Sequence, residues 1–263
     1  MKSRELRTNL LIGRLREMYK NEKSEPIINI AKLQVKKVLV ICPHADDEII
    51  GCGGALIHFS KKKNVEVHVL ICTQESTRSI AKSYAFNPMH RVKESYQAKE
   101  IIGYQHLHYF NFPELGFNGK PGIKRKLKAE LNQFIQGLQP DCIFIPNSKE
   151  MHPDHRVIGG LMNSILRRGQ KKGQFDFMRY LLIYEVWGPV KMNSYFQISK
   201  AAKTKMEDGI SCYRSQMASV DYKRIIEFLG DQRRQKFNQF NTQFKGFKKS
   251  LIEGYTLIKK ENF

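Results

Sequence analysis

Cysteine is scarce in this chain and carries no pattern. The five cysteines, Cys42, Cys52, Cys72, Cys142 and Cys212, are scattered and form no CxxC pair. This excludes a disulfide framework and a thiolate zinc knuckle, and it fits reduced core thiols in an intracellular protein. Long apolar runs are missing too. None approaches the ~20 residues of a spanning helix. Near the basic N-terminus the longest, Asn9-Leu10-Leu11-Ile12, is too short for a signal-peptide core. Acidic side chains are outnumbered, 25 against 45 Lys and Arg. No internal repeat or low-complexity segment is visible. What remains, 263 residues with 41% hydrophobic and 11% aromatic content, supplies a sizeable core and excludes a wholly disordered chain. The expectation is a soluble, cytoplasmic protein.

A formal charge of +20 attracts polyanions without choosing among nucleic acid, an anionic membrane surface and a phosphorylated substrate. No RNP-type aromatic motif, zinc-finger spacing or basic heptad points to a nucleic-acid module. The clusters Lys61-Lys62-Lys63, Arg167/Arg168 with Lys171/Lys172, and Arg233/Arg234 with Lys236 read first as solvated faces. Peripheral contact with an anionic membrane stays open.

Residues 1–34 read as an amphipathic helix and linker: Leu6, Leu10, Leu11, Leu15 and Met18 recur at near-helical spacing, and Pro26 lies at or beyond the helix end. Residues 35–263 read as one domain. Strand candidates at 35–42, 65–72, 106–112, 141–146 and 180–186 alternate with helical patterns at 48–62, 89–102, 123–137 and 154–168. That alternation predicts an α/β, Rossmann-like doubly wound sheet, mainly parallel, with helices on both faces. From about residue 200 a helical C-terminal tail is expected, through 200–216 and 221–236. Phe237, Phe240, Phe244, Phe247 and Tyr255 then clamp it to the body.

In a doubly wound sheet, reactive groups gather beyond the carboxyl ends of the strands. The first strand runs into Pro43-His44-Ala45-Asp46-Asp47-Glu48, and the fourth leads to His152-Pro153-Asp154-His155. So many polar side chains at strand-to-helix junctions need partners or water. The two segments therefore belong to one end of the sheet. His44, Asp47 and one of the two later histidines make a two-histidine, one-carboxylate set, which suits a catalytic Zn2+ with one position open to water. Other divalent ions fit the same donors. Pro153 places His155 at the start of a helix, with His152 just before it. Asp46, beside a ligand but not consumed by it, is the candidate general base.

These motifs resemble the PIG-L/LmbE-like deacetylases, zinc-dependent enzymes that remove acetyl from N-acetylglucosamine-type groups. Arg91-Val92-Lys93-Glu94, Tyr184-Glu185-Val186-Trp187 and Tyr213-Arg214-Ser215-Gln216 extend the resemblance over residues 36–220. It implies that His44, Asp47 and His155 bind zinc and that Asp46 activates water. It also implies that His152, oriented by Asp154, stabilises the oxyanion or protonates the leaving amine, and that Arg91 holds the substrate. The substrate expected is an N-acetyl amino sugar, and the basic charge suits one that is phosphorylated, nucleotide-linked or lipid-linked. Ala45 stands where the family more often has proline, and Thr73-Gln74-Glu75-Ser76 is less glycine-rich than the usual loop. Two other readings remain. One is a non-catalytic basic protein binding nucleic acid or anionic lipid; the other is a zinc amidohydrolase acting on a non-sugar amide.

The remaining features read as structural. Gly51-Cys52-Gly53-Gly54 matches neither nucleotide-binding spacing and is expected to pack a helix on the sheet. His58, His68, His90, His106 and His108 show no partner spacing, so each reads as a surface or satisfied histidine. Trp187 follows the fifth strand candidate and could stack on a sugar ring.

Overall fold

The computed structural model describes residues 2–20, 22–25, 27–74, 88–117, 120–240 and 250–262. Pro26, Glu75, Ser76, Phe244 and Phe247, which enter the readings above, lie outside them. Along the chain the elements are α1 (Lys2–Lys20), β1 (Ile28–Asn29), β2 (Lys37–Cys42), α2 (Asp47–Ser60), β3 (Glu66–Gln74), α3 (Pro88–Ile102) and β4 (His106–Pro113). Then follow α4 (Pro121–Leu138), β5 (Cys142–Pro146), α5 (Pro153–Gln170), β6 (Tyr180–Tyr184) and β7 (Ser194–Ile198). The last are α6 (Lys200–Ser211), α7 (Arg214–Met217), α8 (Tyr222–Phe240) and β8 (Leu251–Lys259). The described strands form one eight-stranded sheet in the order β1-β7-β8-β6-β5-β2-β3-β4.

The central strands are apolar over most of their length because both faces are covered. In β2, Val38, Val40 and Cys42 enter one core with α2, α3, α6 and α8, while Leu39 and Ile41 enter the other with α4 and α5. The same alternation divides Val67, Val69 and Ile71 from Leu70 and Cys72 in β3. A period of two that is apolar on both phases is what a doubly covered parallel sheet demands. Strands β4, β3, β2, β5 and β6 pair parallel, as the alternation predicts.

The expectation of a purely helical tail needs correction. Helices α6, α7 and α8 form, but residues 251–259 return as β8, antiparallel to both β6 and β7. The helical-looking aromatic spacing misled: Tyr255 is a buried strand residue packed edge-on against Phe144 at 5.4 Å. The linker likewise contains β1, an edge strand paired with β7. Helix α1 rests on α8, with Leu15 and Tyr19 buried and Leu6 and Leu10 exposed, so its apolar face is only partly used.

Two glycines set the approach of the helices that carry the site. A Cβ on Gly159 would lie 2.5 Å from the carbonyl oxygen of Pro146, so α5 sits against the end of β5. A Cβ on Gly51 would strike the Tyr184 ring at 2.4 Å. The glycine run after Cys42 is therefore a helix-packing device, as expected. The five cysteines are free thiols. No helix among the described residues is long and apolar enough to cross a membrane.

Candidate active site

The segment after β2 turns sharply into α2. Asp46 takes φ 113°, a conformation costly for a residue with a Cβ. Its own backbone N–H donates to Glu48 Oε2 at 2.9 Å, and its carbonyl accepts from Ile49 and Ile50 at 3.1 Å. Pro43 is tied to β3 through its carbonyl, which accepts from the Thr73 amide and hydroxyl. This turn places His44 and Asp47 together, their Nδ1 and Oδ2 atoms 3.2 Å apart.

From the end of β5, α5 delivers His155 to the same point. Its Nε2 lies 3.1 Å from Asp47 Oδ2 and 3.3 Å from His44 Nδ1. These three donor atoms form a nearly equilateral triangle. Tetrahedral bonds of 2.0–2.1 Å to a zinc ion require ligand–ligand edges of about 3.3 Å, so the donor set fits a divalent cation in both chemistry and size. His152 stands nearby, its ring 4.5 Å from that of His44, and it belongs to a looser trio with His44 and His155.

Electrostatics agree with a site built around positive charge. Burial would lower the pKa of His155, but Asp47 and Glu150 outweigh it and raise it to about 10. Burial also opposes charge on His44, while Asp154 and Asp47 bring it up to about 9. Against its own burial, Asp47 is held far below the usual carboxylate range by His155 and His44. Protons on two imidazoles thus supply the charge that a cation would otherwise bring. His152 is different: burial, then His44 and His155, push it down to about 3 and keep it neutral. Burial drives Asp46 well above the ordinary carboxylate range, with Arg91 opposing and Asp47 adding to it.

Some placements differ from expectation. The Asp154 side chain meets His44, its Oδ2 3.1 Å from Nε2, and accepts from the Leu115 amide at 2.8 Å. It is instead the Asp154 backbone N–H that donates to His152 Nδ1, at 3.3 Å. Arg91 reaches the site but faces inward, with Nη2 3.3 Å from Asp46 Oδ2 and Nη1 3.5 Å from Glu114 Oε2. Trp187 lines the cavity and meets the Tyr222 ring at 6.1 Å.

Sequence reasoning missed Glu150, fully buried, whose carboxylate contacts His155 Nδ1 and the Val186 amide. A carboxylate behind a ligating imidazole fixes its tautomer and raises its basicity. The available signal was an acid just before His152-Pro153-Asp154-His155. Also missed were Glu114 and the contribution of α1. Leu11 and Arg14 line a cavity of about 310 Å3 together with His44, Asp46, Arg91, His152 and Trp187.

The family described as "PIG-L: GlcNAc-PI de-N-acetylase" matches residues 39–166, a stretch that contains both histidine segments. Over this stretch the chain is similar to that family. A curated relative, diacetylchitobiose deacetylase of Thermococcus kodakarensis, is 30% identical over 134 residues, covering 48% of this chain and 48% of that protein. The match therefore spans about half the length of that relative. Among solved structures, N,N'-diacetylchitobiose deacetylase from Pyrococcus horikoshii, complexed with an inhibitor, superposes with a TM-score of 0.69 at 20% identity. It covers 96% of this chain and 93% of that one. The conserved protein TT1542 from Thermus thermophilus gives 0.65 at 24% identity, covering 85% and 94%. At these identities the structural likeness shows the fold. The PIG-L stretch carries the donor triangle and Asp46, whereas Trp187, Tyr222 and Arg14 come from outside it.

Proposed function

We propose that this protein is a zinc-dependent hydrolase that removes the acetyl group from an N-acetylated amino sugar. The observation that carries the reading is the His44–Asp47–His155 donor triangle beside the buried carboxyl of Asp46, at a cavity that His44, Asp46 and Asp47 line. A cation held by those three residues would act as a Lewis acid toward the amide carbonyl and make water acidic enough to ionise near neutral pH.

The chain's own groups divide the remaining work. Asp46, beside the donor triangle, accepts the proton of the attacking water and can return it to the leaving nitrogen. Water adds to the acetyl carbon, the C–N bond breaks, and acetate and a free amine leave. His152 accepts at Nδ1 from the Asp154 amide, so its proton resides on Nε2. A neutral Nε2–H directed at the carbonyl oxygen is an oxyanion donor. Arg91 holds Asp46 in place from behind and moderates its pKa. Asp154 orients His44, and Glu150 orients His155.

The sugar reading draws on the PIG-L match and on the curated relative's name. Trp187 offers a flat apolar wall to a sugar ring. The finer reading is a substrate with an anionic group, phosphate-linked to a nucleotide or lipid, met by Arg14 at the mouth of the cavity. The test is acetate release by zinc-loaded and chelator-stripped protein over free, nucleotide-linked and lipid-linked N-acetyl sugars. Zinc-dependent release, highest for the phosphate-bearing sugars, is expected. Release that survives chelation, or tight binding to anionic vesicles or RNA without release from any sugar, overturns the proposal.

A further inference from the structure

At the opposite end of the sheet the parallel register assembles a second group of donors. Strand β3 pairs His68 with His106 of β4, and Leu70 with His108. Since Val67 and Val69 enter the α2-side core, Glu66 and His68 project toward the α4 side. His106 and His108 do the same, and His108 meets Phe134 of α4 at 5.0 Å. These histidines, which showed no partner spacing in the sequence, are therefore neighbours. The His68 and His106 rings stack at 4.3 Å, and both Nε2 atoms approach Glu66 Oε1, at 3.3 and 3.0 Å respectively.

Hydrogen bonds alone do not satisfy this arrangement. His68 is 5% exposed, and its buried Nε2 makes no hydrogen bond among the described residues despite its closeness to Glu66. Its Nδ1 lies 3.0 Å from His108 Nε2. If His68 donates there, its Nε2 lone pair faces a carboxylate oxygen. If it accepts there, its Nε2–H has only the 3.3 Å approach to Glu66 Oε1, an oxygen that His106 Nε2 shares at 3.0 Å. The first tautomer leaves a cost of the kind buried polar groups rarely carry, and the second leaves a long contact to a shared oxygen. A cation between Glu66, His68 and His106 would give the Nε2 lone pair and the shared oxygen a common partner, and His108 then holds the far side of the His68 ring, as second partners of ligating histidines do.

We infer that Glu66, His68 and His106 form a second metal site, taking a borderline divalent transition cation such as Zn2+, with open positions for water. Their donor atoms all lie within 4.8 Å of one another. Two imidazoles and a carboxylate suit this class of ion and not Mg2+ or Ca2+. The other oxygen of Glu66 lies 3.6 Å from Lys37 Nζ, which leaves Oε1 for the ion. The side chains of His106 and Glu66 are 44% and 42% exposed, so an ion enters without opening the core. The site would cross-link the edge strand β4 to β3, a structural role separate from the cavity around His44.

The test is zinc titration of chelator-stripped protein against a competing chromogenic chelator. Wild type should bind two equivalents, and His106→Ala and Glu66→Gln one each. Asp47→Asn, a substitution at the other end of the sheet, should lose the other equivalent and keep this one. Because His106 and Glu66 are half-exposed, these variants are expected to fold, and the retained equivalent reports that they do. A single equivalent in wild type, or two in His106→Ala, overturns the assignment.

Discussion

The two histidine groups occupy opposite ends of the same strands and differ in how the chain makes them. At the carboxyl ends, His44 and His155 come from loops entering helices, and each imidazole has a carboxylate behind it, Asp154 or Glu150. At the amino ends, His68 and His106 lie within strands and are brought together by register, with only a third histidine behind them. The first group opens into a cavity and adjoins an unused acid, Asp46; the second opens to solvent and, among the described residues, has no such acid beside it. The contrast teaches what separates a reactive site from a binding site of similar ligand type. Ligands alone bind an ion, but chemistry also needs a base, an oxyanion donor and a pocket to hold the substrate.

The largest effects should follow from breaking the triangle. His155→Ala removes a ligand and leaves the buried Asp47 and Glu150 carboxylates without their shared partner. Acetate release should fall by at least about 10³-fold, and one zinc equivalent should be lost. Asp46→Asn separates the base from the metal: the rate should drop by about 10²–10⁴ while zinc content stays the same. An Asp46→Asn variant with unchanged rate would remove the base from the mechanism and make the two groups look alike.

The supporting carboxylates give intermediate effects. Glu150→Gln should weaken zinc binding at the cavity by about 10–100-fold, measured by chelator competition, and lower kcat less than Asp46→Asn does. A related expectation concerns protons. The pKa values of His44 and His155, about 9 and about 10, lie above the ordinary histidine value. In metal-free protein both imidazoles are therefore charged at pH 7. Their contribution to stability is present below about pH 6.5 and is lost as pH rises through 9 to 10. Zinc entering this site at pH 7 should release about two protons, and fewer as pH approaches 10. Calorimetry in buffers of different ionisation enthalpy, done with His106→Ala to isolate this site, measures the number. No proton release at pH 7 would show that these imidazoles are already bare.

Much of this was legible in the sequence because it depends on local pattern. The β-branched runs gave the parallel strands, and polar clusters directly after two of them marked a common end of the sheet. What stayed hidden depends on contacts between distant segments. β8 could not be found from the spacing of aromatics, because Tyr255 is buried by Phe144 from across the sheet. The side chain that Asp154 serves could not be read from its place beside His152, since the helix start turns its carboxylate to His44. The His68–His106 pair is a matter of strand register, and spacing along the chain is silent about it.

The smallest expected effect tests whether α1 belongs to the site. Arg14 lines the cavity but is exposed, far less enclosed than Arg91, which is buried against Asp46. An exposed cation contributes little to any one ionic contact because water and salt screen it. Arg14→Ala should therefore raise KM by about two- to five-fold for a phosphate-bearing sugar and leave kcat within error. The effect should shrink in high salt and vanish for an uncharged N-acetyl sugar. Equal losses on charged and uncharged substrates would mean that α1 shapes the cavity through Leu11 and packing, and that the cation at its rim has no part in selecting the substrate.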